Sequence, residues 1–165
     1  MAFYKDIHKL LITKIYSTLE DMSVDVVSLL PDNTAYPFVY IGAITAFDFG
    51  NKCDFITEGT IDIEIHTGSS GWSGSLEPLY DIAEEVKSLL QPVKGQPIDL
   101  GVSHEMHKWK IQSDTGLVTY DETNRLMSET ITYEFSIVQK ISYKTRVEND
   151  EGTVEDSNCV PLLYK

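Results

Sequence analysis

Cysteine is scarce: Cys53 and Cys159 are the only two in 165 residues. Two cysteines so far apart do not make a disulfide framework, and the expectation is a reducing compartment. Basic residues are scarce as well, 13 Lys and Arg against 26 Asp and Glu, for a formal net charge of −13. Phosphate binding needs clustered Lys and Arg, so the balance argues against affinity for nucleic acid. The plain reading of the charge is solubility. No apolar run approaches the ~18 residues that a membrane span requires. Met1 to Lys9 mixes Lys5, Asp6 and Lys9 among its apolar residues and does not read as a signal peptide. The expected place of synthesis and folding is a cytoplasm.

What remains is an ordinary globular composition. Apolar residues make up 42% of the chain, with aromatics and β-branched residues both present. A chain of this length most often makes one domain and buries about 70% of its unfolded surface.

The stretch from Tyr36 to Thr67 organises the rest and reads as a long β-hairpin. The first arm starts at Tyr36-Pro37-Phe38-Val39-Tyr40-Ile41-Gly42 and continues through Ile44, Ala46 and Phe47. Pro37 suits the start of a strand, where a missing N–H costs little. In the second arm Ile61, Ile63 and Ile65 alternate with Asp62, Glu64 and His66. A period of two places the isoleucines on one face and the hydrophilic residues on the other. Asp48, Gly50, Asn51 and Asp54 supply the turn between the arms.

Two segments have helical periodicity. From about Tyr4 to Glu20, Ile7, Leu10, Leu11, Ile15 and Leu19 form an apolar stripe that Lys5, Lys9 and Lys14 avoid. From about Ser75 to Leu90, the stripe is Leu76, Leu79, Ala83, Val86 and Leu90, with Ser75 as the expected N-cap and Pro78 in the first turn. Between the first helix and the hairpin, Val24 to Leu30 reads as a short extended piece before a turn at Pro31-Asp32-Asn33.

Later, Ile98, Leu100, Val102 and Met106 alternate, while Trp109 and Ile111 take the other phase, which predicts a bulge near Lys108. Gln112 to Asn124 is polar and is expected to loop out. Ile131, Tyr133, Phe135 and Ile137 mark a strong last strand. The expected fold is α+β: a two-layer sandwich in which a mainly antiparallel four-stranded sheet carries two helices on one face, the isoleucine face. The domain is expected to span residues 1–140. Residues 141–165, with Glu148, Asp150, Glu151, Glu155 and Asp156, read as an acidic and mobile extension.

Motifs that carry chemistry fail on inspection. His104-Glu105-Met106-His107 sets its histidines three apart in a strand, where odd spacing points them to opposite faces, unlike the helical zincin spacing of four. Gly71-Trp72-Ser73-Gly74-Ser75 breaks the G-x-S-x-G elbow at its last position and lacks the G-K-[ST] of a phosphate loop. Asp62 and Glu64 form a carboxylate pair on a strand face with no third partner in sight. Trp72 and Trp109 sit beside predicted loops, as core residues or as anchors of a protein contact. No catalytic residue, metal site or cofactor site is expected.

In its order of elements the chain resembles the tail completion, or tail terminator, proteins of long-tailed bacteriophages and gene-transfer particles. The resemblance rests on an N-terminal helix, Val26-Val27-Ser28-Leu29-Leu30-Pro31, and the strand entry Tyr36-Pro37-Phe38-Val39-x-Ile41-Gly42. It continues through Lys52 and Gly59 into Ile61-Asp62-Ile63-Glu64-Ile65-His66, the glycine loop, the second helix and the strand Arg125 to Phe135. It covers about residues 1–140; Ile141 to Lys165 departs from the family's pattern.

The resemblance implies a non-enzymatic virion protein at the head-proximal end of a tail. It would form a homo-hexameric ring, cap the tail tube protein and join the head–tail connector, with DNA passing through the lumen without specific binding. Contacts are then expected in loops and tail, at Asp48, Asn51, Lys52 and Asp54, at Trp72, at Asp114, Asp121 and Glu122, and at Glu148, Asp150 and Glu151. Other readings stay open: a connector, stopper or minor tail protein; a cytoplasmic hydrolase using Ser73 or a carboxylate pair; or an acidic adaptor.

Overall fold

The computed structural model describes residues 6–29, 35–50, 55–69, 76–91, 98–101, 103–120 and 125–139. Helix α1, Ile7–Leu19, starts where Asp6 caps it, its carboxylate accepting from the His8 N–H at 3.0 Å. Ile7, Leu11, Ile15 and Leu19 recur every fourth residue and are the buried positions of this helix, so the stripe seen in the sequence is the face that packs. Helix α2, Glu77–Leu90, buries Leu79, Ile82, Ala83, Val86 and Leu90. Its cap position falls to Leu76 rather than Ser75, with no side-chain capping bond. Pro78 brings no N–H to the first turn, and Glu77 sits at the positive end of the helix dipole, so this terminus depends less on a capping side chain.

The sheet has five strands rather than four. The addition is β1, Asp25–Val27, which lies parallel to the start of β2, Phe38–Gly50, with Val26 opposite Val39. Three residues are too few to show a period, which is why β1 reads only as an extended piece in the sequence. β3, Phe55–Ser69, β4, His104–Tyr120, and β5, Arg125–Gln139, complete the spatial order β1-β2-β3-β5-β4. Apart from β1 every pairing is antiparallel. The α+β class stands, with both helices packed into the core on the isoleucine side of the sheet.

The segment expected to loop out from Gln112 is strand as far as Tyr120. Ser113 to Tyr120 pairs residue for residue with β5, from Thr132 back to Arg125. Its polar side chains reflect an outermost strand that is largely exposed, not a loop. Conversely, no strand forms over Ile98 to Gly101. There Asp99 accepts from the Gly101 N–H at 2.8 Å, and Gly101 adopts a φ of 87°, a turn that a side chain would strain.

Register shifts between Ile41 and Ile44, Met106 and Lys108, and Ile111 and Ser113 mark three bulges, the second of them where the phase change in the sequence predicts it. The third turns Asp114 onto the helix side of the sheet, a placement that no regular alternation gives.

The core is centred on Ile61, Ile63 and Ile65 of β3 and Ile131, Tyr133, Phe135 and Ile137 of β5, each with no exposed surface. Gly59 lies under Phe135: a Cβ there would stand 2.8 Å from the ring and collide with the Thr45 carbonyl. Trp109 is a core residue. It stacks on Tyr133 with ring centroids 4.6 Å apart, and its indole N–H donates to the Leu90 carbonyl at 2.9 Å. One side chain therefore ties the end of α2 to two strands.

The Tyr133 hydroxyl is buried without a hydrogen-bond partner, and burial, then the nearby Asp114, pushes its pKa up. Removing an unsatisfied buried hydroxyl while keeping the ring costs little. We expect Tyr133→Phe to leave stability unchanged or raise it by about 1 kcal/mol, read as the midpoint of urea unfolding.

Candidate assembly surface

The helices cover one face of the sheet and leave the other face, the outer face, without a layer among the described residues. On the outer face Glu58, Asp62, Glu64, Glu105 and Glu134 accompany Lys108 and Lys110, in the alternating positions opposite to the core isoleucines. Most are held in place. Thr132 donates to Asp62 at 2.7 Å, and His66 lies 3.1 Å from Glu64. Both lysines turn to Glu134, Lys110 at 3.3 Å, and Lys108 more than Lys110 holds that carboxyl below its ordinary pKa. Among the described residues this face is thus acidic, with its two lysines sharing one carboxylate partner, Glu134.

The two edges of the sheet differ from its middle. β1 protects only Phe38 to Tyr40, so β2 from Ile41 to Gly50 has no strand on its other side among the described residues. β4 has a partner on one side only along its full length, again among the described residues. Long open edges are templates for pairing with another chain. The β2–β3 hairpin also carries Phe47, Phe49 and Phe55 with 63%, 56% and 51% of their surface exposed. Phe47 and Phe49 point to the outer face, where Ile56 is paired with Phe49 and Val138 with Ile56.

A second feature sits on the helix side. Lys87 of α2 reaches two carboxylates, Asp114 of β4 and Glu129 of β5, the latter at 3.0 Å. The Glu129 side chain is only 3% exposed, and its second carboxylate oxygen has no partner. Burial raises the pKa of Glu129, Asp114 adds to that, and Lys87 opposes it. Burial works to lower the pKa of Lys87, but the two carboxylates together outweigh it and the net shift is upward. The arrangement is a latch between helix and sheet.

Of the contact residues expected from the sequence, Asp48 and Asp114 fall among the described residues, and both lie in strands rather than loops. Asp48 accepts from the Thr57 hydroxyl at 2.7 Å, and Asp114 binds Lys87. Each also has a partner within the chain, towards which strand pairing, and for Asp114 the bulge, aims it, and each keeps an exposed side chain. Asn51, Lys52, Asp54, Trp72, Asp121, Glu122, Glu148, Asp150 and Glu151 lie outside the described residues, as do Ser73 and the acidic extension. His104 is buried and His107 exposed beside Glu105, so the two histidines do not converge. Among the described residues no three His, Cys, Asp or Glu side chains gather as a metal site would need.

The sequence reading missed the phenylalanine patch. Its signal was present: Phe47 and Phe49 stand in the phase opposite to Ile44 and Ala46, which face the core. It also missed Lys87 with Glu129, which no local spacing connects.

No protein-family model matches the sequence, and no curated protein sequence matches it. The fold does have a solved counterpart. A chain in the structure described as "Virion of native gene transfer agent (GTA) particle" superposes with a TM-score of 0.60 at 13% identity. The alignment covers 81% of this chain and 99% of that one.

Proposed function

We propose that this chain is a structural protein of a phage-like or gene-transfer particle. It assembles as a homo-hexameric ring on the head-proximal end of the tail tube and forms the joining surface to the capsid connector. The observation that carries the reading is the near-complete coverage of a virion chain by this fold. It acts together with the order of sequence motifs, which resembles tail terminators over about residues 1–140.

The open edges give the ring a physical route. A cyclic assembly uses a heterologous interface, one patch against a different patch on the neighbour, and closes when the rotation per subunit is fixed. Among the described residues, β2 from Ile41 to Gly50 and β4 from Met106 to Tyr120 each pair with a strand on one side only, and they are two such different patches on one sheet. The outer face supplies what a DNA passage needs. Its carboxylates repel phosphate over about 8 Å at physiological salt, and the lysines beside them are already paired.

The test is native mass measurement with negative-stain imaging of the purified protein, alone and with tube protein. The expected result is a closed ring of six copies that caps tubes and does not retain duplex DNA at physiological salt. A monomer or dimer that ignores tube protein overturns the reading. Capture by the connector but not by the tube reassigns the chain to a stopper or connector role.

A further inference from the structure

The phenylalanine patch on the β2–β3 hairpin is a large apolar surface for a chain this acidic. Phe47 and Phe49 stand two residues apart on β2, Ile56 faces Phe49 across the pair, and Val138 continues the row onto β5. Neighbouring strands are about 4.8 Å apart, so these side chains form one contiguous surface. Exposed clusters of this kind normally mark a contact.

The chain leaves the sheet beside this patch. β5 ends at Gln139, which pairs with Phe55, one residue after Val138. Residues 140–165 follow, and in them apolar residues are isolated until Cys159-Val160-Pro161-Leu162-Leu163-Tyr164. We propose that this C-terminal segment, Val160 to Tyr164, docks on the patch of its own subunit and covers Phe47, Phe49, Ile56 and Val138.

Reach is not limiting. The residues between Gln139 and Val160 span up to about 65 Å when extended, whereas the patch begins at the neighbouring residue and extends over two strand spacings, about 10 Å. Tethering makes the encounter intramolecular, with an effective concentration of about a millimolar for a linker of modest length. A separate partner competes for the patch only when it exceeds that value or binds more tightly. The tether itself carries the acidic residues Glu148, Asp150, Glu151, Glu155 and Asp156.

The two cysteines provide the test. Cys159 directly precedes the docking segment, and Cys53 stands in the sequence between Gly50 and Phe55, which pair with each other. Docking therefore brings both thiols to the same end of the sheet. The full-length protein, at low micromolar concentration, is treated with copper phenanthroline, quenched with an alkylating agent and mapped by peptide mass.

The expected product is an intrachain Cys53–Cys159 link. It should form at least about a hundredfold more slowly in Phe47→Thr/Phe49→Thr and in Leu162→Asp/Leu163→Asp, the size expected for losing the burial of two apolar side chains. Thr keeps the strand preference of β2. The Leu double variant changes nothing in the described sheet, so its unfolding midpoint serves as the folding control. Equal rates in all three proteins overturn the proposal. So does a link formed only between chains, which assigns the patch to a second copy instead.

Discussion

Replacing Ile63 with Asp abolishes folding. Ile63 has no exposed surface and lies between Ile41 on β2 and Ile131 on β5 in the middle of the sheet. Burial of an isoleucine side chain contributes about 2–3 kcal/mol, which the substitution forfeits. The carboxylate then has no cation among these neighbours, and leaving it charged costs several kcal/mol more unless it takes up a proton. A domain of this kind has about 5–15 kcal/mol in total, so the combined loss leaves no stable native state. Far-UV circular dichroism and solubility of Ile63→Asp should show an unfolded or aggregated chain at neutral pH. The adjacent Asp62→Ala is the control. Asp62 faces outward and accepts from Thr132, and losing that half-exposed bond costs about 1 kcal/mol or less. If Ile63→Asp folds with a normal cooperative transition, the isoleucine face is not the core.

That contrast also marks what a sequence of this kind makes legible. The alternation Ile61-Asp62-Ile63-Glu64-Ile65-His66 determines face, burial and partner side at once, because a strand has only two sides and only one carries apolar residues. The spacing in α1 does the same for a helix. In these segments the local reading agrees with the tertiary structure, whereas the alternation over Ile98 to Gly101 forms no strand.

The failures fall where long-range pairing overrides local composition. Ser113 to Tyr120 is largely polar and carries Gly116, yet β5 supplies it with backbone partners and makes it strand. β1 is too short to announce itself and exists through its neighbour Val39. The surface was less legible than the core. Phe47 and Phe49 are apolar residues in the outward phase, and a pattern alone cannot say whether such residues are buried by a second layer or left open. Asp48 and Asp114 read as contact residues because they fall in segments expected to be loops, which tolerate partner-specific variation; the structure puts both in strands. The partners that occupy them, Thr57 and Lys87, become visible only once strands are aligned.

The latch on the helix side gives the second large effect. Lys87→Met should destabilise the protein by about 3 kcal/mol at neutral pH, the lower end of the range for removing one partner of a buried pair, because Lys87 itself is 30% exposed. The loss comes less from the missing bond than from what is left behind. Glu129, 3% exposed and with one oxygen already unpartnered, would face Asp114 with no cation between them.

The pH dependence separates this cause from mere loss of packing. The Glu129 pKa is raised in the folded protein, so folding favours its protonated form. That contribution is fully present below the unfolded carboxyl pKa, about 4.3, and is lost as pH rises through the higher folded value. Removing Lys87, the one group that opposes the shift, moves the folded pKa further up and widens the window. The deficit of Lys87→Met relative to the native protein should therefore be largest at pH 7 and shrink as pH falls toward 4.

Adding Glu129→Gln to Lys87→Met should restore much of the loss at pH 7, since the buried group is then neutral and the charge repulsion with Asp114 disappears. Urea unfolding of the single and double variants at pH 7 and near pH 4.5 measures each term. A deficit for Lys87→Met that is the same at both pH values, and that Glu129→Gln leaves untouched, would mean that the lysine stem only packs and that Glu129 is not held by its charge.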